Sequence, residues 1–191
     1  MKNLLAQDRV RIWLTFVGVS IILIGTAYAM VQQSTRLAAN DLPMAAAQTA
    51  KHELESGSQP NDVIPAVKTN LRSDSTVFLT ITDNAEHVLA SSATLDGQPS
   101  LPPAGTFAFT KDHGSDHFTW QPKDGVRLAT YMMRYGTSPN DGFIVAGRSL
   151  KQAEDRIETY TWLAMAGTVA VIAFASLTLL IPTANKTSRK K

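Results

Sequence analysis

Two long stretches of the chain carry no charged residue, and both predict helices that can cross a membrane. The first covers residues 12–31, and the second has its apolar centre at 160–181. A helix of about 20 apolar residues spans the ~30 Å of hydrocarbon in a bilayer. We therefore predict transmembrane helices at 12–31 and 159–181. Aromatic side chains are typical of the membrane–water interface, and four lie near the ends of these helices: Trp13, Tyr28, Tyr160 and Trp162.

The segment that follows the first apolar stretch has the period of a helix. Its apolar residues recur at every fourth position: Leu42, Ala46, Ala50 and Leu54. This spacing predicts one apolar stripe on a helix over 32–57. We expect that helix to restart at Asp41, which can cap a first turn that contains Pro43. A second short helix is expected at 61–71.

From residue 77 onward the pattern alternates, which is typical of strands. Five strands are predicted, at 77–82, 88–90, 117–121, 126–135 and 143–147. Short polar turns join most of them in sequence, which favours an antiparallel sheet. The intervening segment 93–112 is rich in Gly and Pro and is predicted to be a loop.

The last strand is expected to lead straight into the second transmembrane helix. Ser149 and Gln152 fit a capping box, and no Gly or Pro interrupts residues 150–165. An unbroken helix here could pass a movement of the sheet into the membrane. The predicted fold class is α+β, a five-stranded antiparallel sheet with N-terminal helices, flanked by two transmembrane helices.

Charge is segregated along the chain in a way that predicts its orientation. Residues 1–11 have a net charge of +2, and 182–191 contain four Lys and Arg; residues 32–158 hold 11 Lys and Arg against 15 Asp and Glu. Short basic flanks stay in the cytoplasm. We therefore expect a cytoplasmic N-terminus (1–11), an extracytoplasmic domain (32–158) and a basic cytoplasmic tail (182–191). The overall charge of +2 is then no signal of nucleic-acid binding.

Two alternatives to this topology stay open. Residues 1–29 have the basic start, apolar centre and Ala-Tyr-Ala ending of a signal peptide. Cleavage after Ala29 would leave a single C-terminal anchor, but we favour the uncleaved span because the apolar run continues through Val31. The second apolar run could instead be a buried core helix, although its all-round apolarity argues against that.

Little in the sequence indicates catalytic or metal chemistry. The chain has no Cys, which excludes disulfides, thiolate metal sites and Cys nucleophiles. It lacks a nucleophile elbow, a P-loop, a dinucleotide fingerprint and an HExxH motif. His113 and His117 lie four residues apart beside two Asp, but Gly114 between them argues against the helix that a shared metal needs. We expect no enzyme, no metal and no cofactor.

The fourth predicted strand carries the candidate ligand site. Arg127, Tyr131 and Met133 share one face of it, and Trp120 on the preceding strand is added to them. Such a face could line a small pocket in which Arg127 receives a carboxylate. The alternative is that Arg127 and Tyr135 are in solvent at the strand ends, Tyr131 packs beneath the loop 93–112 and Trp120 belongs to the core or its rim.

Two stretches of the chain resemble a known family. Residues 78–92 (FLTITDNAEHVLASS) and 142–150 (GFIVAGRSL) are similar to the central hairpin and the final strand of the extracytoplasmic PAS-like, or single Cache, sensor domain of bacterial membrane signalling proteins. The likeness covers 32–158. The hairpin of that family usually has Gly where this chain has Glu86. The family's sensors carry a cytoplasmic signalling module, whereas only residues 182–191 follow the second span here.

The resemblance implies a sensor in the bacterial cytoplasmic membrane that binds a small molecule or a partner outside. Its signal would have to pass through a membrane or cytoplasmic signalling partner. Small residues at 25–29 and 164–170 also allow close helix packing, within the chain or in a homodimer. The second hypothesis is an accessory subunit of an envelope or two-component signalling complex that binds no small molecule.

Overall fold

The computed structural model describes residues 2–136 and 141–180, with side chains described from Gln7 onward. Its elements in chain order are α1 (Lys2–Glu55), α2 (Pro60–Val63), β1 (Thr69–Asn70), β2 (Phe78–Asp83), β3 (Val88–Ser91), β4 (Ala93–Thr94), α3 (Ala104–His113), β5 (Ser115–Lys123), β6 (Val126–Tyr135), β7 (Gly142–Ser149) and α4 (Lys151–Leu180). The chain divides into two compact units. The sheet unit covers Ser34–Arg156, and the helical unit holds the residues up to Gln33 and from Ile157 onward.

The first helix corrects the prediction of a restart at Asp41. Helix α1 continues through Pro43 to Glu55, although Pro lacks the N–H that a helix interior uses. Pro43 is buried, as are Ala47 and Ala50 on the same face, so packing against the sheet compensates for the lost hydrogen bond. The predicted stripe was also partly wrong, because Leu42 is 55% exposed. Because this part of α1 is rich in Ala, its faces differ too little in hydrophobicity to show from the sequence which one is buried.

The predicted helix at 61–71 is much shorter in the structure. Helix α2 ends at Val63, and Ile64 after it is extended, with φ −76° and ψ 146°. Ile64 precedes Pro65, whose ring disfavours helical geometry in the residue before it. The chain then enters β1, which pairs in parallel with β4, a two-stranded sheet that the sequence pattern did not predict.

The five predicted strands form one antiparallel sheet, as the predicted fold class requires. Its strand order is β3-β2-β7-β6-β5, and every neighbouring pair is antiparallel. Strands β2 and β7, in the middle of the sheet, are buried along almost their whole length. The protein is therefore an α+β structure with a five-stranded antiparallel sheet.

Each face of the sheet supports a separate apolar cluster. The first cluster joins Phe78, Leu128 and Phe143 of the sheet to Phe107 of α3, with the rings of Phe107 and Phe143 edge to face at 5.3 Å. The second joins Leu79, Ile81, Ile144 and Ala146 of the sheet to Ala47 and Ala50 of α1. Side chains alternate between the two faces because successive residues of a strand point in opposite directions.

The segment 93–112, predicted to be a loop, contains most of α3. Pro103 immediately precedes that helix, and Phe107 and Thr110 are its buried residues. A ten-residue helix with two buried positions has too weak a periodicity to detect in a segment with three Pro and two Gly. The same segment contains a tight hairpin turn at Asp96 and Gly97, where both residues have positive φ and Leu95 pairs with Gln98.

The helical unit contains long stretches of exposed apolar surface. Helices α1 and α4 are both long and apolar enough to cross a membrane, and only 6% of the most apolar window of each is buried. The buried-core alternative for the second run therefore does not fit the structure. Within this unit Val17 and Ala175 are buried, and Ile24 lies 4.0 Å from the position that a Cβ on Gly167 would occupy.

Candidate functional site

The structure does not bring the four predicted ligand residues together. Arg127, Tyr131 and Met133 alternate along β6 and share one face of the sheet. Trp120 pairs with Leu128 across β5 and β6 and packs against the cluster on the opposite face. Its indole Nε1 donates a hydrogen bond to Thr130 Oγ1 at 2.9 Å. The four residues therefore do not converge on one pocket.

Tyr131 and Met133 belong to the face that α1 covers. Both are half-buried and pack against the cluster that contains Ala47 and Ile144. The segment 93–112 covers the other face, through Phe107, so the alternative that placed Tyr131 beneath it is wrong. Tyr131 and Met133 instead fill the space between sheet and helix.

Arg127 already has a carboxylate partner from within the protein. Its guanidinium Nη1 pairs with Oε1 of Glu154, in the first turn of α4, and both side chains are about half exposed. Glu154 was not among the residues predicted for the site. Its position in the first turn of a predicted helix was one local signal, since acidic residues stabilise that turn. Nothing in the sequence indicated that Glu154 would pair with Arg127.

The contact between Arg127 and Glu154 is part of a junction between the sheet and α4. Leu150 is the single residue between β7 and α4, and its N–H donates to the carbonyl oxygen of Arg127 at 2.8 Å. Glu154 N–H in turn donates to Leu150 O at 2.9 Å. We call these residues, Arg127, Ser149, Leu150 and Glu154, the strand–helix junction. It attaches the first turn of α4 to two strands at once.

Ser149 acts at this junction differently from the predicted capping box. It is the last residue of β7, and its Oγ accepts a hydrogen bond from Lys151 N–H at 3.2 Å. The capping box required a bond to the third residue of the helix and a return contact from Gln152. The helix begins one residue later than predicted, which leaves Ser149 too far back in the strand for that arrangement.

A charged cluster lies at the β5–β6 turn. Asp96 accepts from Arg72 Nε at 2.9 Å and from Lys123 Nζ at 2.7 Å. The hydrogen bonds from Arg72 and Lys123 hold the pKa of Asp96 at about 2, and the hydrogen bond to Asp96 raises the pKa of Arg72. All three side chains are exposed, so the cluster ties a surface turn to the sheet and leaves no unpaired charge for catalysis.

Other polar side chains make hydrogen bonds or ring contacts within the sheet unit. Ser92 Oγ accepts from Leu79 N–H at 2.9 Å, and Ser91 Oγ contacts Thr80 Oγ1 at 2.7 Å. His113 stacks on Phe109 with ring centroids 3.9 Å apart. In the described part of the chain, no group of three or more His, Asp or Glu side chains is placed to hold a metal ion.

The four aromatic residues predicted for the membrane interface lie in the helical unit. Tyr160 and Trp162 are exposed on α4, while Trp13 and Tyr28 are half-buried on α1. Thr161 Oγ1 donates to Ile157 O at 2.8 Å, so the 2.8 Å contact with Tyr28 is a hydrogen bond that the Tyr28 hydroxyl donates. At the other end, Arg9 Nη2 donates to Leu179 O at 2.8 Å. The predicted basic tail at 182–191 lies outside the described residues.

Comparison of the chain with protein-family models, with curated proteins and with solved structures finds no match. A functional proposal therefore depends on the sequence pattern and on the strand–helix junction.

Proposed function

We propose that this protein is a membrane-anchored, sensor-like protein of the bacterial cytoplasmic membrane. Its sheet unit lies outside the cytoplasm and binds a small molecule or a partner there. A conformational change passes through α4 to a membrane or cytoplasmic signalling partner. The observation that carries the proposal is the strand–helix junction, where one residue, Leu150, separates β7 from a helix of 30 residues.

The exposed apolar surface of the helical unit supports the membrane anchor. Large side chains such as Ile22, Leu23, Trp162 and Val169 are more than 60% exposed. A soluble monomer rarely exposes contiguous apolar area of that extent, whereas lipid covers it without cost. The basic residues at both ends of the chain support an orientation with both termini in the cytoplasm.

The order of elements supports the PAS-like or Cache-like assignment. A helix, the β2–β3 hairpin, a connection, the β5–β6 hairpin and β7 follow one another between the two apolar helices. Glu86, at the position where the family's hairpin usually has Gly, has φ +68°. That left-handed conformation is the one for which Gly is preferred, so the backbone at Glu86 suits the Gly that the family usually has there.

The junction suggests how a change in the sheet would reach the membrane. Arg127 makes two contacts at the start of α4: its carbonyl oxygen accepts from Leu150, the residue before the helix, and its guanidinium pairs with Glu154 in the first turn. A shift of β6 relative to β7 would therefore move the first turn of α4. Because the hydrogen bonds within a helix resist bending, that displacement would continue along α4.

The topology is tested by cysteine labelling of intact cells. Because the chain has no Cys, Gly105→Cys and Asn3→Cys each provide a single thiol. A membrane-impermeant maleimide should label the Gly105 variant in intact cells and the Asn3 variant only after lysis. Labelling of the Asn3 variant in intact cells, or a mature N-terminus at Met30, would contradict the two-span topology.

The transmission step is tested by photo-crosslinking in native membranes. A photoreactive amino acid at Phe174, which is exposed on α4, should capture a membrane partner. Arg127→Glu, which breaks the contact with Glu154, should change the crosslinking yield. Arg134→Glu is the matched control, since Arg134 is on the same strand as Arg127 but at its other end, where it pairs with Asp141 just before β7. Equal yields in all three proteins would contradict transmission through the junction.

The second candidate function is an accessory subunit that binds no small molecule. It is favoured by the placement of the predicted ligand residues, because Trp120 lies on the opposite face from Tyr131 and Arg127 is already paired. A photoreactive group at Phe109, an exposed residue of α3, separates the two functions. Capture of a partner there, combined with no crosslink from Phe174, would favour the accessory subunit.

A further inference from the structure

We propose that the sheet unit contains a second site, a cationic cleft that binds a phosphate group. The cleft lies between the Ser34–Ala39 segment of α1 and the start of α4, and its volume is about 210 Å³. Its polar lining consists of Ser34, Thr35, Arg148, Ser149, Gln152 and Arg156. This site is separate from the predicted ligand residues on β6, and it does not depend on the sensor function.

The two arginines supply the charge that an anion would need. Neither Arg148 nor Arg156 makes an ion pair or a side-chain hydrogen bond with any described residue, in contrast to Arg72, Arg127 and Arg134. None of the described residues that line the cleft is acidic. Guanidinium groups present a planar set of donors that matches the oxygens of a phosphate.

Ser149 adds a buried donor to this cationic lining. It is only 6% exposed, and its Oγ accepts from Lys151 N–H. No described residue accepts the Ser149 hydroxyl hydrogen, so that hydrogen is available to a ligand in the cleft. A buried hydroxyl with an unused donor favours a ligand rich in hydrogen-bond acceptors, which a phosphate group is.

The position of the cleft in the sequence indicates where such a group would come from. Ser34 follows the apolar run 12–31 by three residues, and Arg156 precedes the second run, which starts at Thr159, by three residues. Residues this close to the ends of two transmembrane helices lie at the depth of lipid head groups. The shared chemistry is a phosphate, supplied by a lipid head group or by free phosphate.

The experiment uses the full-length protein in maltoside micelles, which contain no phosphate. Two probes are titrated separately: inorganic phosphate and dihexanoyl phosphatidylglycerol. Hydrogen–deuterium exchange of the peptides that cover 34–39 and 148–156 measures binding. Protection by either probe is the expected result. Protection by the lipid alone assigns the site to a head group, and equal protection by inorganic phosphate assigns it to the free anion.

Variants separate a defined site from general attraction between charges. Arg148→Gln and Arg156→Gln should each weaken binding by about tenfold or more, because each removes charge-assisted hydrogen bonds. Arg36→Gln is the matched control, since Arg36 is exposed on α1 beside the cleft but does not line it. Exchange of β6 without added probe should be unchanged in all three variants, which shows that they fold.

Two results would overturn the proposal. One is the absence of protection by both probes in the wild-type protein. The other is an equal loss of binding in the Arg36, Arg148 and Arg156 variants, since that outcome assigns the effect to net charge.

Discussion

Arg127 and Glu154 form an ion pair that joins the start of β6 to the first turn of α4. The two residues are 27 positions apart in the chain, and the backbone of Arg127 also accepts the N–H of Leu150 at 2.8 Å. The side-chain contact therefore reinforces a backbone contact at the same point. The guanidinium of Arg127, which the sequence analysis had assigned to the carboxylate of a ligand, is therefore paired with a carboxylate of the protein itself.

Arg127→Glu should loosen the start of α4 without unfolding the sheet. Exposed ion pairs contribute roughly 0.2–1 kcal/mol, so exchange of the amides at 151–156 should rise by about two- to fivefold. The double variant Arg127→Glu, Glu154→Arg should restore the wild-type rate. If Arg134→Glu produced the same rise at 151–156, the effect would not belong to the junction.

Gly147→Ala should destabilise the sheet unit. Phe78 pairs with Gly147 across β2 and β7, and its ring atom Cζ lies 2.5 Å from the position that a Cβ on Gly147 would take. Forcing a methyl group into a filled core costs about 1–3 kcal/mol, which thermal unfolding in detergent would detect. Gly105→Ala, with no atom within 4 Å of its new Cβ, is the control.

Phe78 and Gly147 also allow a test that does not depend on the absolute loss of stability in Gly147→Ala. In a Phe78→Leu background the ring is gone, so the additional cost of Gly147→Ala should fall to less than half. Equal costs of Gly147→Ala in the two backgrounds would show that the Phe78 ring is not the obstacle.

Glu86→Gly should stabilise the β2–β3 hairpin. Glu86 has φ +68°, and a side chain in the left-handed region costs roughly 1–2 kcal/mol, which Gly avoids. Part of that gain is offset by the greater freedom of Gly in the unfolded chain, so we expect a net increase of about 0.5–1 kcal/mol in the free energy of unfolding. Glu86→Ala keeps the Cβ and should give no such increase.

Acid should remove the contribution of the Asp96 cluster. The pKa of Asp96 is about 2 in the folded protein, against about 3.9 in an unfolded chain. Its ionised form therefore stabilises the fold above about pH 4, and this contribution disappears as the pH falls through about 2. Asp96→Asn keeps a residue that tolerates positive φ while removing the charge.

The comparison of wild type with Asp96→Asn should accordingly depend on pH. Wild type should be the more stable protein at pH 5 to 7, and the difference should shrink between about pH 4 and 2. Asp124→Asn, in the neighbouring exposed turn, is the control and should leave the shape of the curve unchanged. A constant difference between wild type and Asp96→Asn at all pH values would contradict the ion-pair explanation.

The local sequence pattern predicted the strands better than the helices of the sheet unit. Strand β6 has the predicted bounds, Val126–Tyr135, because Gly125 and Gly136 mark the turn positions at its two ends. Helix α3 was missed because only Phe107 and Thr110 face the core. Pro43 and Pro65 have opposite effects on the helices near them. Helix α1 continues through Pro43, because that part of the helix packs on the sheet. Helix α2 ends before Pro65, because none of its residues is buried to hold it in place.

The candidate site shows the limit of the same reasoning. That Arg127, Tyr131 and Met133 share a face follows from strand geometry alone. The side of the sheet on which Trp120 lies depends on the register of β5 against β6, and the bulge between Trp120 and Lys123 is part of that register. Neither the register nor the partner of Arg127 has a local signal in the sequence.

Hydrophobic periodicity and charge segregation were enough to predict two apolar helices, five strands and an α+β fold. Both are local patterns, which can be read from residues close together in the chain. The ion pairs of Arg127 with Glu154 and of Arg72 with Asp96, and the cleft that residues 34–39 form with 148–156, join residues that are distant in the chain. Such contacts depend on how complete elements pack against one another, and packing is a property of the folded chain as a whole.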